Sequence, residues 1–265
     1  MPDLSPLAIR ALRWAQLSAQ RPAQATWPLF VARRPDPPVF AGSGVLLRLQ
    51  GRPFLLTAAH VSDVAPATGL LVGTSSGIRP MYGRRYVTKV PASAQREDDR
   101  LDIAVLCLDE RSALSFEGSS FLEQGELAMA PSEEPPPSVL LVGYPTSIQR
   151  TSPRRPPEGA SVYTLLASPA PSDYYADLHY SKDTHLLIPF DRHSSWRITG
   201  KSTSPDLHGV SGCGLWFLDE QPQPARPTAR LAGIVTGWNP ARPKCIIASR
   251  LIVPLTAILK DLGIR

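Results

Sequence analysis

The sequence predicts an all-β protein, a barrel or sandwich with a short helix at each end. Short apolar runs (Phe40 to Leu49, Pro53 to Thr57, Leu70 to Gly73, Ile103 to Leu108, Ser138 to Val142) recur between clusters of Pro, Gly and Ser, the pattern of many short strands with frequent turns. Composition agrees. Of 265 residues, 29 are proline, about twice the usual ~5%, and proline favours extended chain and turns over helix interiors.

In chain order, residues 4 to 19 place Leu4, Ala8, Ala11, Leu12 and Ala15 near helical spacing, with Ser5 as cap and Pro6 at the first helical position. The strand-like runs follow. Residues 131 to 137, ending in Pro135-Pro136-Pro137, read as a linker between two halves of the chain. Residues 153 to 157, beside Arg150, Arg154 and Arg155, read as an exposed loop and a candidate self-cleavage site. Pro254 to Leu262 sets Leu255, Ile258, Leu259 and Leu262 on one face, which predicts a C-terminal helix packed on the sheet.

Length and charge remove several classes. A chain of 265 residues accommodates one large domain or two small barrels with a full core. With 43% hydrophobic residues and a net charge of +5, the composition is that of a folded chain rather than a disordered one. Twenty-three arginines face only five lysines, and they fall in pairs from end to end (Arg33-Arg34, Arg84-Arg85, Arg154-Arg155) instead of on one element. Nucleic-acid binding is therefore not expected. No apolar run is long enough to span a bilayer, so no membrane partner is expected. Asp3, Arg10 and Arg13 interrupt any secretory apolar core, and Cys107, Cys213 and Cys245 are too few and too scattered for a disulfide framework. The expectation is a cytoplasmic protein with free thiols. His179, His185, His193 and His208 match no short metal-ligand spacing, so neither a metal nor another cofactor is expected.

Three segments carry chemistry. Phe54 to Val61 is an apolar strand ending in Ala58, Ala59 and His60; the small residues allow a tight turn, and a histidine there can act as a base if another group orients its ring. Asp102 opens the apolar run Ile103 to Leu106, where an ionised carboxylate needs hydrogen bonds such as those of an imidazole N–H. Asp98 and Asp99 lie close enough to be alternatives. Ser211 is bracketed by Gly209 and Gly212, a permissive turn that exposes a hydroxyl and can aim backbone N–H groups at a developing oxyanion. The order His, Asp, Ser is one of the known arrangements of the nucleophilic triad.

Over most of residues 40 to 262 the sequence resembles the trypsin-like, or chymotrypsin-fold, serine endopeptidases, particularly the disulfide-poor bacterial members. The likeness lies in Gly42-Ser43-Gly44-Val45, Thr57-Ala58-Ala59-His60, Gly209-Val210-Ser211-Gly212 and Gly233-Ile234-Val235-Thr236-Gly237-Trp238. It implies two six-stranded antiparallel β-barrels with the active site in the cleft between them. Residues 1–25 would form a helical extension, about 26–130 the first barrel, and about 131–265 the second barrel with the C-terminal helix. It implies Ser211 as nucleophile, His60 as general base and acid, Asp102 as the group fixing the tautomer, and the N–H groups of Gly209 and Ser211 as the oxyanion hole. Substrate would lie along Thr236, Gly237 and Trp238.

The sequence departs from the family at four places. Val210 stands where secreted zymogens carry an aspartate, Val61 where a cysteine follows the histidine, Cys213 where a glycine occurs and Gly214 where a proline does. By resemblance the primary pocket is floored near Pro205 and Asp206 and walled by Thr236 to Trp238 and the segment around Ile246; Asp206 would favour a basic substrate side chain, Pro205 and Ile246 a small or apolar one. The expected partner is a protein or peptide substrate, with narrow specificity or a regulatory protein restraining a cytosolic protease. The alternative is a catalytically silent relative that binds extended peptides.

Overall fold

The computed structural model describes residues 6–33, 36–65, 69–74, 77–91, 93–129, 135–146, 162–192, 195–197, 200–202, 204, 206–218 and 228–263. Ser5, the segment 131–134, the Arg150 to Arg155 loop, His193 and Pro205 lie outside the described residues. Two helices lead the chain, α1 (Pro6–Ser18) and α2 (Gln20–Ala25). The first sheet holds β1 (Thr26–Arg33), β2 (Asp36–Leu49), β3 (Arg52–Ala58), β4 (Leu70–Thr74), β5 (Gly77–Pro80), β6 (Gly83–Val87), β7 (Ile103–Leu108) and β8 (Leu122–Glu123). Its order is β5-β4-β1-β2-β3-β7-β6, with β8 beside β2. Short helices α3 (Ala59–Asp63) and α4 (Glu110–Ala113) interrupt it.

The second sheet holds β9 (Val139–Gly143), β10 (Tyr163–Ala167), β11 (His185–Pro189), β14 (Gly214–Leu218), β15 (Ala229–Asn239) and β16 (Cys245–Arg250), in the order β10-β9-β14-β15-β16-β11. Between β11 and β14 a separate hairpin forms from β12 (Ser195–Arg197) and β13 (Gly200–Ser202). Helix α5 (Ser172–Asp177) precedes β11, and α6 (Ile252–Asp261) closes the chain. This is a chymotrypsin-like double barrel. The first sheet differs from the expected six strands: it has eight, because the two-residue β8 joins β2 in parallel at Leu47 and Arg48, and the short β5 extends the far edge. Strand pairing is otherwise antiparallel in both sheets.

Why the strands read as unbroken apolar runs follows from where alternate side chains go. In β2 and β3, Val45, Leu47, Phe54 and Leu56 belong to one large cluster, whereas Leu46 and Leu55 belong to another with Leu29, Leu70 and Val72. In β9 and β14, Leu140, Val142 and Trp216 join that same large cluster, while Val139, Leu141, Leu215 and Phe217 pack with Leu186 and Ile246. Successive side chains point to opposite faces of a strand. One face of each sheet therefore fills its own barrel, and the other meets its counterpart in the shared cluster. Trp216, fully buried, is the largest side chain there, and truncating it to alanine costs about 3–5 kcal/mol. Ala15 of α1, Ala19 between the two leading helices, Ala25 of α2 and Leu255 of α6 enter the same cluster, so the helices at both ends of the chain pack on the seam. Among the described residues no helix is long and apolar enough to cross a membrane.

Candidate active site

Strand β3 ends at Ala58, and the one-turn α3 then carries His60. Ala58 and Ala59 are fully buried, and the Ala59 N–H donates to the Asp102 carbonyl at 2.8 Å, so the small side chains let two main chains meet. The His60 N–H donates to Asp102 Oδ1 at 2.9 Å, and His60 Nδ1 lies 2.5 Å from Oδ2. One residue thus satisfies both carboxylate oxygens. The Asp102 side chain is 11% exposed and that of His60 42%; the carboxylate is shut from water while the ring faces outward. Because a carboxylate can only accept, the ring proton belongs on Nδ1, which leaves the Nε2 lone pair as a base.

Asp102 has φ +46°, in the left-handed region that short polar side chains tolerate best. The turn before it is held from the second barrel. His185 Nε2 donates to the Arg100 carbonyl at 2.7 Å and Ser249 Oγ to the Leu101 carbonyl at 2.6 Å. His185 and Ser249 are register partners in β11 and β16, both buried. Burial holds the His185 imidazole below its usual pKa, so the neutral ring with its proton on Nε2 makes this donation. Arg100 adds a hydrogen bond to the His179 carbonyl and stacks on Tyr180. The alternative carboxylates are engaged elsewhere: Asp99 with Thr88 and Arg96, Asp98 with the Gln95 N–H.

Ser211 sits on a turn whose successive peptide planes are fixed one by one. The carbonyl of His208 accepts from Thr146 N–H at 2.7 Å, that of Gly209 from Ser43 Oγ at 3.1 Å, that of Val210 from Cys213 N–H at 2.9 Å and that of Ser211 from Ser43 N–H at 2.8 Å. The N–H groups of Val210 and Gly212 are also taken, by the carbonyls of Leu207 and Val235. Among the described residues, the N–H groups of Gly209 and Ser211 alone in this turn donate to no protein acceptor. In a trans peptide N–H and C=O point opposite ways, so the pinned carbonyls of His208 and Val210 aim these two donors. Gly209 needs its missing side chain: at φ +88°, a Cβ would lie 2.4 Å from Phe40 Cε1 and 2.5 Å from Thr146 Oγ1.

Gly42 joins the two halves of the site. A Cβ there would lie 2.8 Å from both the Ser211 carbonyl oxygen and Val61 Cγ2, so the Ser211 turn and the residue after His60 touch the same α-carbon. No hydrogen bond joins Ser211 Oγ to His60 among the described residues. Such bonds are commonly loose in unliganded sites and tighten around substrate.

Beside this turn, a cavity of about 180 Å³ is lined by Phe190, Asp191, Arg192, Asp206, Trp238 and Lys244, among others. Asp206 and Trp238 thus line it, whereas the Ile246 side chain is fully buried in the second-barrel core. Asp206 does not present a bare carboxylate: its Oδ1 accepts from the His208 N–H at 3.1 Å and lies 2.5 Å from Nδ1. The His208 side-chain hydrogen bond holds the Asp206 carboxyl below its ordinary pKa. Thr236 is a bulge residue, since the β15–β16 register shifts between Val235 and Gly237. β14 pairs with β15 only as far as Ile234, so on that side Thr236, Gly237 and Trp238 have no strand partner among the described residues.

Sequence reasoning did not single out Ser43, Thr146, His185 or Ser249 as parts of this site. Ser43 had a signal in its glycine-flanked setting, Gly42-Ser43-Gly44. His185 and Ser249 act across the two barrels, and Thr146 reaches His208 across 62 positions within the second; no local pattern reveals either. Cys107, Cys213 and Cys245 are free thiols, as expected. No group of three His, Cys, Asp or Glu side chains able to hold a metal occurs among the described residues.

The architecture is shared with solved trypsin-like serine proteases. Neuropsin, a serine protease of mouse brain, superposes with TM-score 0.58 at 15% identity over 91% of this chain and 96% of its own. Granzyme C gives 0.54 at 14% over 93% and 96%, and kallikrein-related peptidase 10 gives 0.55 at 16% over 93% and 98%. The class these define is the chymotrypsin-fold, trypsin-like serine protease fold, and this chain has that fold. The sequence matches no protein-family model and no curated protein.

Proposed function

We propose that the chain is a serine endopeptidase in which Ser211 attacks the scissile carbonyl. His60 takes the Ser211 proton at Nε2 and returns it to the leaving amine, and Asp102 holds the proton on Nδ1. The N–H groups of Gly209 and Ser211 receive the oxyanion. An acyl-enzyme forms on Ser211 and water releases it, regenerating the hydroxyl. The observation that carries this reading is the alternation of pinned and free groups along residues 208–212, which among the described residues leaves two N–H groups unpaired beside the one hydroxyl.

Substrate adds as an extended strand along Thr236, Gly237 and Trp238, whose outer edge has no strand partner among the described residues. The cavity with Asp206 and Trp238 receives a side chain; Phe190, Leu207, Trp238 and Pro240 give it apolar walls, and Asp191, Arg192, Asp206 and Lys244 charged ones. Three free thiols, with burial pushing Cys245 up to about 11 and Cys213 further still, fit a protease that works in a reducing, intracellular setting. A silent peptide-binding relative is the second reading, favoured by the absence of a Ser211 Oγ–His60 hydrogen bond among the described residues. Cleavage profiling on a proteome-derived peptide library separates the two. The proposal expects a discrete set of cleavages lost in Ser211→Ala, and identical profiles for both proteins would refute it.

A further inference from the structure

We propose that the Ser43 hydroxyl is a positioning residue for the oxyanion hole, setting the Gly209–Val210 peptide plane from the other barrel. This deepens the peptidase reading and rests on it for its catalytic consequence. Ser43 lies in β2, in the first sheet, and its side chain is fully buried. Its hydroxyl hydrogen goes to the Gly209 carbonyl, and its oxygen accepts from the Tyr144 N–H at 3.1 Å. Its main-chain N–H donates to the Ser211 carbonyl at 2.8 Å, and its own carbonyl accepts from Thr57 Oγ1 at 2.8 Å. One serine therefore touches both sides of the turn, the exit of β9 and the end of β3 ahead of His60.

Its hydroxyl is the group that matters, because every other anchor of the turn is main chain. Gly209 is at φ +88°, and glycine crosses between backbone regions at little cost. The Gly209–Val210 peptide can thus rotate about its flanking bonds unless something holds it. Val210 cannot do so by charge: it is an apolar residue, 3% exposed and packed with Leu207 and Cys213. What remains is the Val210 N–H on the Leu207 carbonyl and Ser43 Oγ on the Gly209 carbonyl. Removing the hydroxyl leaves the Gly209 carbonyl and the Tyr144 N–H without partners together. Tyr144 is itself buried, with its phenol pushed up to about 12. With that peptide free, ψ of Gly209 is no longer fixed, and the Gly209 N–H, which belongs to the neighbouring His208–Gly209 peptide, is aimed by the Thr146 contact to the His208 carbonyl alone; its aim at the oxyanion loosens while Ser211, His60 and Asp102 stay in place.

The test uses Ser43→Ala and Ser43→Thr in the full chain, with two readouts. Backbone amide exchange reads the clamp whether or not the chain is an enzyme: Ser43→Ala should exchange faster at Tyr144 and Val210 by tenfold or more, and Ser43→Thr, which keeps the hydroxyl, should not. The rate of labelling by a fluorophosphonate reads the catalytic consequence. Its maximal rate should fall about tenfold in Ser43→Ala with half-saturation unchanged, less than the 10²–10³ of losing an oxyanion donor outright. Unchanged exchange at Tyr144 and Val210 overturns the proposal. So does a labelling rate equal to wild type, or a loss confined to half-saturation. If Ser43→Ala does not fold, wild-type exchange faster at Tyr144 than at Thr146 overturns it as well, and protection at Tyr144 supports it. Failure of wild type to label at all, with the exchange result as expected, refutes the peptidase reading and leaves the clamp standing.

Discussion

Replacing Asp102 by asparagine changes one atom, and the geometry dictates which tautomer results. The carboxylate accepts twice from His60, from the main-chain N–H at 2.9 Å and from Nδ1 at 2.5 Å. An asparagine has one acceptor oxygen. If its NH₂ faced the His60 main-chain N–H, two donors would oppose each other in a site 11% exposed, at about 1–3 kcal/mol. The oxygen therefore stays on the main-chain N–H and the NH₂ faces Nδ1. Nδ1 must then accept, the proton moves to Nε2, and His60 can no longer take the proton of Ser211. The wrong tautomer at such a site lowers kcat by about 10⁴, or about 5.5 kcal/mol of transition-state stabilisation. The assay is fluorophosphonate labelling of wild type and Asp102→Asn at pH 7.5, with circular dichroism to verify the fold. A rate within tenfold of wild type would refute the tautomer argument and return attention to Asp98 or Asp99.

Two further outcomes follow from the same contacts. His185 is held below its reference pKa of 6.5 by burial, so between its folded pKa and 6.5 the unfolded chain binds the proton that the folded chain does not. Its contribution to stability is therefore complete above about pH 6.5 and lost as pH falls, by at most about 1.4 kcal/mol per pH unit. Urea midpoints at pH 7.5 and 5.5 should converge less for wild type than for His185→Gln, whose amide keeps the bond to Arg100; equal pH dependence would contradict this. Gly212→Ala places a Cβ 2.0 Å from the Ser43 carbonyl oxygen at φ +85°. The left-handed backbone alone costs about 1–2 kcal/mol, and the overlap is with main chain, so a loss above about 2 kcal/mol in urea unfolding is expected; a smaller loss would show that β2 and the turn separate easily.

Much of the fold was legible because both faces of the central strands are buried. Leu46 and Leu47 serve different clusters, yet both are apolar, so the runs announced strands without announcing the face. The eighth strand was not legible, because Leu122–Glu123 is two residues whose pairing with Leu47 depends on the tertiary fold. At the candidate site, the local settings were legible: small residues before His60, a carboxylate, Asp102, opening an apolar strand, and Ser211 between glycines; the His60–Asp102 contact joins two of them. The buttresses were not legible. Ser249 bonds the Leu101 carbonyl across 148 positions of sequence and Ser43 the Gly209 carbonyl across 166, and an isolated serine carries no sign of either. Pocket chemistry was half legible: Asp206 lines the cavity as its position implied, but its engagement by His208 depends on a side-chain rotamer, and the burial of Ile246 on the packing of the second barrel.

The central claim is that Ser211 is a nucleophile activated by this arrangement. Intact-mass analysis after fluorophosphonate treatment tests it most directly. The account predicts a single adduct on wild type, mapped to the peptide carrying Ser211 and absent from a folded Ser211→Ala. No adduct on wild type, or an adduct retained by the variant, would contradict it.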